Sequence, residues 1–301
     1  MSLDVLSAGE LYIDLIMGGF DSYPQPGQET FARDFRREAG GGAAITACGL
    51  ARLGTRTGLL AIAGADYHAW IAARLGEFGV EAGAVALDPI EPTGFTVAVT
   101  SPRDRTFFTY LGANRKFAAV IDAAPLDGVR HVHLAWAPPW DVAAALIERI
   151  HRAGATVSLD AGGHPRWLRD PRALDVLRAV DLFFPNETEA AWVTGETDAA
   201  GMLRRFADAG LPGVVLKLGS LGARLLLNGA IYEASPHRVS PVDTTGAGDC
   251  FDAGFLHAWL RGESPERCLA VANICGALST EVYGGIAGFP SRDRVLQELS
   301  S

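Results

Sequence analysis

The chain has 301 residues, 49% of them hydrophobic and 20% charged, with a formal net charge of −9 and an isoelectric point of about 5.3. That composition suits a soluble protein with a sizeable core and excludes a disordered chain. The acidic balance argues against a nucleic-acid or anionic-membrane surface, so any phosphate site has to be built locally.

The N-terminal segment carries Asp4, Glu10 and Asp14 where a signal peptide needs positive charge, and no apolar run is long enough to span a membrane. Cys48, Cys250, Cys268 and Cys275 show no C-x-x-C pair and no zinc spacing. A cytoplasmic protein with reduced, buried thiols is expected.

Short apolar runs at Val5 to Gly9, Thr57 to Ala63, His131 to Ala135, Thr156 to Asp160, Leu182 to Pro185, Val214 to Leu218 and Ala223 to Leu227 predict buried strands. Between them, Ala44 to Leu53, Tyr67 to Phe78, Asp141 to Ala153, Ala199 to Ala209 and Asp249 to Arg261 repeat apolar residues at helical spacing. The alternation predicts an α/β fold, a mainly parallel sheet with helices on both faces. Two regions break the rhythm. Leu11 to Gly18 with Glu29 to Arg37, and Gly94 to Thr100 with Arg105 to Leu111, predict strand pairs without crossover helices. The second pair is joined by a polar turn at Ser101, Pro102, Arg103 and Asp104. These four strands suit a small antiparallel flap, either a lid over a reaction or a dimer surface. The whole chain, 1–301, is expected to be one domain, with the flap strands inside about 10–38 and 92–115.

The most informative segment runs from Val242 through Asp243, Thr244, Thr245, Gly246, Ala247 and Gly248 to Asp249. Apolar residues at 251, 255, 256 and 259 share a helical face, so a helix should start near Asp249. Gly246 and Gly248 leave amides unobstructed at a helix N-terminus, which makes an anion site without a lysine. Asp249 is then either a base beside that site or a helix cap. No P-loop, Rossmann fingerprint, protein-kinase signature, serine-hydrolase elbow or zinc-protease motif occurs.

The stretch Asp243 to Asp249 resembles the C-terminal signature of the ribokinase-like, or PfkB, family of sugar and nucleoside kinases. Further segments resemble that family in the same order: Gly40 and Gly41 with Ala-Arg-Leu-Gly ending at Gly54; Gly64 to Asp66 leading to Gly79 and Val80; Gly112 to Asn114; Pro185 to Glu189; and Lys217 to Gly222. The resemblance implies a ribokinase-like parallel sheet with a small β lid, and ATP-dependent phosphorylation of an alcohol. It implies Asp249 as general base and Gly246, Ala247 and Gly248 as anion hole. On the acceptor side it implies Asp14, Gly40 and Gly41, with Ile45, Leu111 and Asn114 nearby. For ATP it implies Lys217, Gly219, Gly222 and Asn273, and for Mg²⁺ Asn186 and Glu189 acting mostly through water. Asn186 and Glu189 also read as a helix cap, and Asn273 also reads as a satisfied interior amide. Some relatives place K⁺ at positions matching Asp243, Thr245 and Gly285. A homodimer through the lid is implied as well.

The acceptor side departs from the family pattern. Ile45 replaces a usual Asn, Leu111 stands where several relatives place an Arg, and Gly162 and His164 stand at Asn and Arg positions. Gly42 replaces the Lys of ribokinase-type motifs. The losses disfavour an acidic sugar, and Ile45, Leu111, Trp136 and Trp140 would pack either a nucleobase or the core. A small neutral sugar or polyol is the leading acceptor. A nucleoside is the alternative, and a silent binding or regulatory module is the reading of another class.

Overall fold

In a computed structural model, residues 2–21, 26–100 and 105–300 are described. The strands are β1 (Leu3–Gly9), β2 (Tyr12–Gly18), β3 (Asp34–Gly40), β4 (Thr57–Gly64), β5 (Val85–Asp88), β6 (Gly94–Thr100), β7 (Arg105–Tyr110), β8 (Val129–Ala135), β9 (Thr156–Asp160), β10 (Leu182–Phe183), β11 (Gly213–Lys217), β12 (Ala223–Leu227) and β13 (Ala230–Ala234). The helices are α1 (Gly42–Arg52), α2 (His68–Glu77), α3 (Phe117–Ala123), α4 (Trp140–Arg152), α5 (Pro165–Leu168), α6 (Ala173–Ala179), α7 (Glu187–Thr194), α8 (Ala199–Asp208), α9 (Ala247–Trp259), α10 (Pro265–Ser279) and α11 (Arg292–Glu298). The turn expected at 101–104 lies outside the described residues.

A nine-stranded sheet runs in the order β13-β12-β11-β10-β9-β8-β1-β4-β5. Pairing is parallel from β11 to β5 and antiparallel at β11–β12 and β12–β13. Its residues point alternately to two cores, as period-2 geometry demands. In β4, Leu59, Ala61 and Ala63 face the layer holding α1, α9 and α10, while Leu60 and Ile62 face the layer holding α3 and α4. Both faces are therefore covered, which explains why the central strands read as unbroken apolar runs.

The second sheet has the order β3-β2-β6-β7. Each outer pair is antiparallel, and the two pairs meet where β2 runs parallel to β6. The third strand lies later than the sequence suggests, at 34–40 rather than 29–37, because its register with β2 continues to Tyr12 opposite Gly40. It ends where Gly41 turns to φ 93, and α1 starts one residue later. The passage from the small sheet to α1 is thus a three-glycine turn. Among the described residues no helix is long and apolar enough to cross a membrane.

Candidate active site

The N-terminus of α9 is the centre of the site. Gly246 is its N-cap with φ 71, a left-handed conformation that glycine adopts without strain, and no side chain caps the helix. A Cβ on Gly246 would stand 2.9 Å from the Gly285 backbone and 3.0 Å from Ile45. The helix N-terminus therefore lacks a capping side chain, although the Ala247 N–H reaches back to the Thr244 carbonyl at 3.3 Å and the Asp249 carboxyl meets its own amide. Asp249 is the third residue of the helix and not its cap. Its carboxyl lies against α1, where a Cβ on Gly42 would come within 2.6 Å of Oδ1, and it also meets its own backbone N–H in the first turn. Asp249 is partly exposed. Burial, and then the negative charge of Asp160, push its carboxyl up to about 7 against the opposing pull of Lys217.

The same glycine turn holds a second acid. A Cβ on Gly40 would lie 2.0 Å from Asp14 Oδ2, so only glycine leaves room for the Asp14 carboxylate there. Burial, and then Glu38, push Asp14 up to about 7 as well. Gly41, between them, passes so close to the Glu10 carbonyl that a Cβ would sit 2.2 Å away. The Gly40 to Gly42 run therefore seats Asp14 of the small sheet and Asp249 of the main body on neighbouring residues of one turn.

Behind Asp249 lies an ionic cluster that joins Lys217 to two acids whose pairing with it no sequence motif announced. Lys217, the last residue of β11, is nine-tenths buried and donates to Asp160 at 2.7 Å and to Asp252 at 3.2 Å. Burial opposes the charge on Asp160, yet the Lys217 ammonium beside it brings its carboxyl down to about 2. Burial drives Asp252 the other way, well above its ordinary value, with Lys217 opposing the rise and Asp160 adding to it. Asp252 is one helical turn from Asp249 in an otherwise apolar stretch of α9. An isolated acid in such a stretch is the sequence signal that could have found it.

A cavity of about 640 Å³ opens on the other side of this helix end, lined by Lys217, Gly219, Gly222, Ala247, Gly248 and Asn273 among others. The residues expected to meet the nucleotide are thus brought together. Asn273 uses its amide N–H groups to hold the carbonyls of Ala234 and Ser235, at 3.3 and 2.9 Å. A larger hollow of about 790 Å³, bordered by Glu187, Asp198 and Arg224, contains none of Gly246, Ala247 and Gly248. Asn186 and Glu189 form a reciprocal cap on α7: the Asn186 side chain accepts from the Glu189 amide at 2.9 Å, and Glu189 Oε2 from the Asn186 amide at 2.8 Å. Asp243 accepts from the Thr245 hydroxyl at 2.7 Å and from the Gly284 amide at 2.9 Å, tying the loop before α9 to the segment around Gly285.

Two expected acceptor residues, Asn114 and Ile45, make structural contacts. Asn114 uses both ends of its amide on the Leu11 backbone, at 2.8 and 3.0 Å, so it fastens the lid base instead of facing a ligand. Ile45 is buried against Gly246 and Gly285 and supports the loop before α9. Leu111 lies half-exposed after β7. Trp140 stacks on Trp167 at 4.8 Å. A smaller cavity of about 400 Å³, at the ends of β1 and β8, is lined by Glu10, Trp136, His164, Arg166 and Trp167. Glu10, Arg166 and Trp167 had no motif to announce them.

The pfkB family carbohydrate kinase model matches residues 3–292. The chain is 35% identical over 302 residues to an ATP-dependent ribose-1-phosphate kinase of Halopiger xanaduensis, covering 98% of both chains. It is 32% identical over 309 residues to a ribokinase of Arabidopsis thaliana, covering 96% of this chain and 78% of that protein. The solved structure of Arabidopsis thaliana ribokinase complexed with ribose and ATP superimposes with a TM-score of 0.84 at 28% identity, over the whole of both chains. A match across nearly the full length, on a fold with this helix-end carboxylate, leaves one assignment: the chain belongs to the pfkB family of carbohydrate kinases.

Proposed function

We propose that this protein transfers the terminal phosphoryl group of ATP to a hydroxymethyl or hydroxyl group of a small neutral sugar or polyol. The observation that carries this is the Asp249 carboxyl, held in the first turn of α9 against Gly42, on a helix whose N-cap glycine leaves no side-chain cap. Asp249 takes the hydroxyl proton while the acceptor oxygen forms its bond to phosphorus. The bond from phosphorus to the β,γ-bridging oxygen breaks, and its electron pair leaves with ADP. The amides of Gly246 to Gly248 receive charge on the equatorial oxygens. Asp14, beside Gly40, binds acceptor hydroxyls, and the four-stranded sheet closes as a lid that excludes water. ATP lies along the cavity bordered by Lys217, Gly219, Gly222 and Asn273.

Mg²⁺ fits the donor set as a hydrated ion. Glu189 spends Oε2 on the cap and keeps Oε1, and among the described residues no group of three or more His, Cys, Asp or Glu side chains forms a cage. Asn186 and Glu189 would hold its water shell, and the ion would neutralise charge on the ATP phosphates. K⁺ belongs to the same proposal at the Asp243, Thr245 and Gly285 loop. The exposed aromatic side chains Phe35, Phe107 and Phe108 on the outer strands of the small sheet support a homodimer through the lid.

A nucleoside acceptor is the second reading, favoured by Trp136 and Trp167 on the smaller cavity. ADP release measured over hexoses, pentoses, polyols, nucleosides and ribose 1-phosphate, in K⁺ and in Na⁺, tests these readings together. Turnover with neutral sugars or polyols supports the leading one. Turnover with nucleosides alone replaces it by the second, and ATP binding without turnover on any acceptor makes the chain a silent module.

A further inference from the structure

Resting on that kinase reading, we propose that the Lys217 ammonium is a catalytic group, donating a hydrogen bond to an equatorial oxygen of the phosphoryl group in transit. An ammonium carries three N–H donors. Asp160 takes one at 2.7 Å, and Asp252 takes a second, shared between its oxygens at 3.2 and 3.4 Å. The third has no acceptor among the described residues. Its position is the decisive point: a methyl group on Gly248 would stand 3.4 Å from Nζ, so the ammonium lies over the first turn of α9. Lys217 and Gly248 also line one cavity, the one assigned to ATP.

The cluster is built to hold a cation there and leave its charge available. Asp160 on β9 and Asp252 on α9 grip Nζ from two elements, which fixes it in place instead of letting it sweep solvent as a surface lysine does. The chain has only one other lysine, Lys116, which pairs with Asp88 at the base of the lid. Arg238 borders the same cavity, but none of its atoms comes within 4 Å of a Cβ placed on Gly248. A buried ammonium beside a helix N-terminus strengthens the electrostatic pull on developing phosphoryl charge beyond what backbone amides alone provide. The proton and the leaving group follow the course given above: the hydroxyl proton goes to Asp249, the bridging electron pair goes to ADP, and Lys217 keeps its proton.

The test compares wild type with Lys217→Met by steady-state kinetics and by calorimetric titration with ATP and with ADP. We expect kcat to fall by about 10² to 10³, the range for loss of one charge-stabilising donor. ATP affinity should fall at least tenfold more than ADP affinity, because the lost contact is to the transferred group. Equal weakening of both nucleotides, or a kcat within threefold of wild type, overturns the proposal. If Lys217→Met does not fold, a crystal structure of wild type with Mg²⁺ and a β,γ-methylene ATP analogue decides. Nζ within about 3.2 Å of a γ-phosphoryl oxygen upholds it, and Nζ bound to Asp160 and Asp252 alone overturns it. A wild type that neither binds ATP nor releases ADP sinks the kinase reading as well, whereas an active wild type with a proportionate Lys217→Met loss sinks only the role of this lysine.

Discussion

Gly42→Ala is the sharpest steric test of the proposed site, because it adds one methyl group at the back of the proposed base, Asp249. The added Cβ would lie 2.6 Å from Asp249 Oδ1 and 3.4 Å from Ala135 Cβ. Ordinary contact begins at about 3.4 Å, so the carboxyl has to retreat by about 0.8 Å or rotate. A displacement near 1 Å in a reacting group costs on the order of 10² in rate, so kcat should fall by about that factor. Stability should move little or rise: residue 42 opens α1, and alanine exceeds glycine by up to about 1 kcal/mol in helix propensity. Steady-state kinetics with a saturating acceptor, run beside thermal denaturation, separates the two effects. A Gly42→Ala enzyme with kcat within threefold of wild type would refute the placement of Asp249 against that glycine.

The pH dependence follows from the same carboxyl. Asp249 must be ionised to accept a proton and is held at about 7 by burial and Asp160, with Glu189 adding to and Lys217 opposing the shift. We expect kcat/KM to rise with pH through about 7, and a profile flat from pH 5.5 to 8 would contradict this. Stability runs in the opposite direction. The folded state binds the Asp249 proton more tightly than the unfolded chain, so this group's contribution is lost as pH rises from its ordinary 3.8 through about 7. At about 1.4 kcal/mol per pKa unit the ceiling is about 4 kcal/mol. Asp249→Asn should therefore melt higher than wild type at pH 8 and near it at pH 4; equal melting at both pH values would count against the shift. For the lid, light scattering should give twice the chain mass, and Phe107→Glu with Phe108→Glu should give the monomer; a wild-type monomer refutes the dimer.

The strands of the main sheet were legible because both its faces are covered, which turns β4 into a continuous apolar run. Strands β5 and β13 escaped notice, being short, partly exposed and at the sheet edges. Helix α10 carried a start signal in Ser264 and Pro265, but it is buried on most sides, so periodicity gave no stripe to follow. Asp249 stood out through its glycines. What it touches did not, since the approach of Gly42 depends on how α1 meets α9. Asn114 shows the converse: its motif position suggested a ligand, and only the fold reveals that its amide fastens Leu11. Lys217 was legible as a loop residue beside the nucleotide, whereas its grip by Asp160 and Asp252 joins positions 57 and 35 residues away.

Turnover by Asp249→Asn measures the role of the base most directly, with ATP binding followed in parallel. The amide keeps the shape and cannot take the proton. A loss of about 10² or more in kcat with ATP affinity within threefold is the expected result. Undiminished turnover would take the carboxyl out of the chemistry and the proposed mechanism with it.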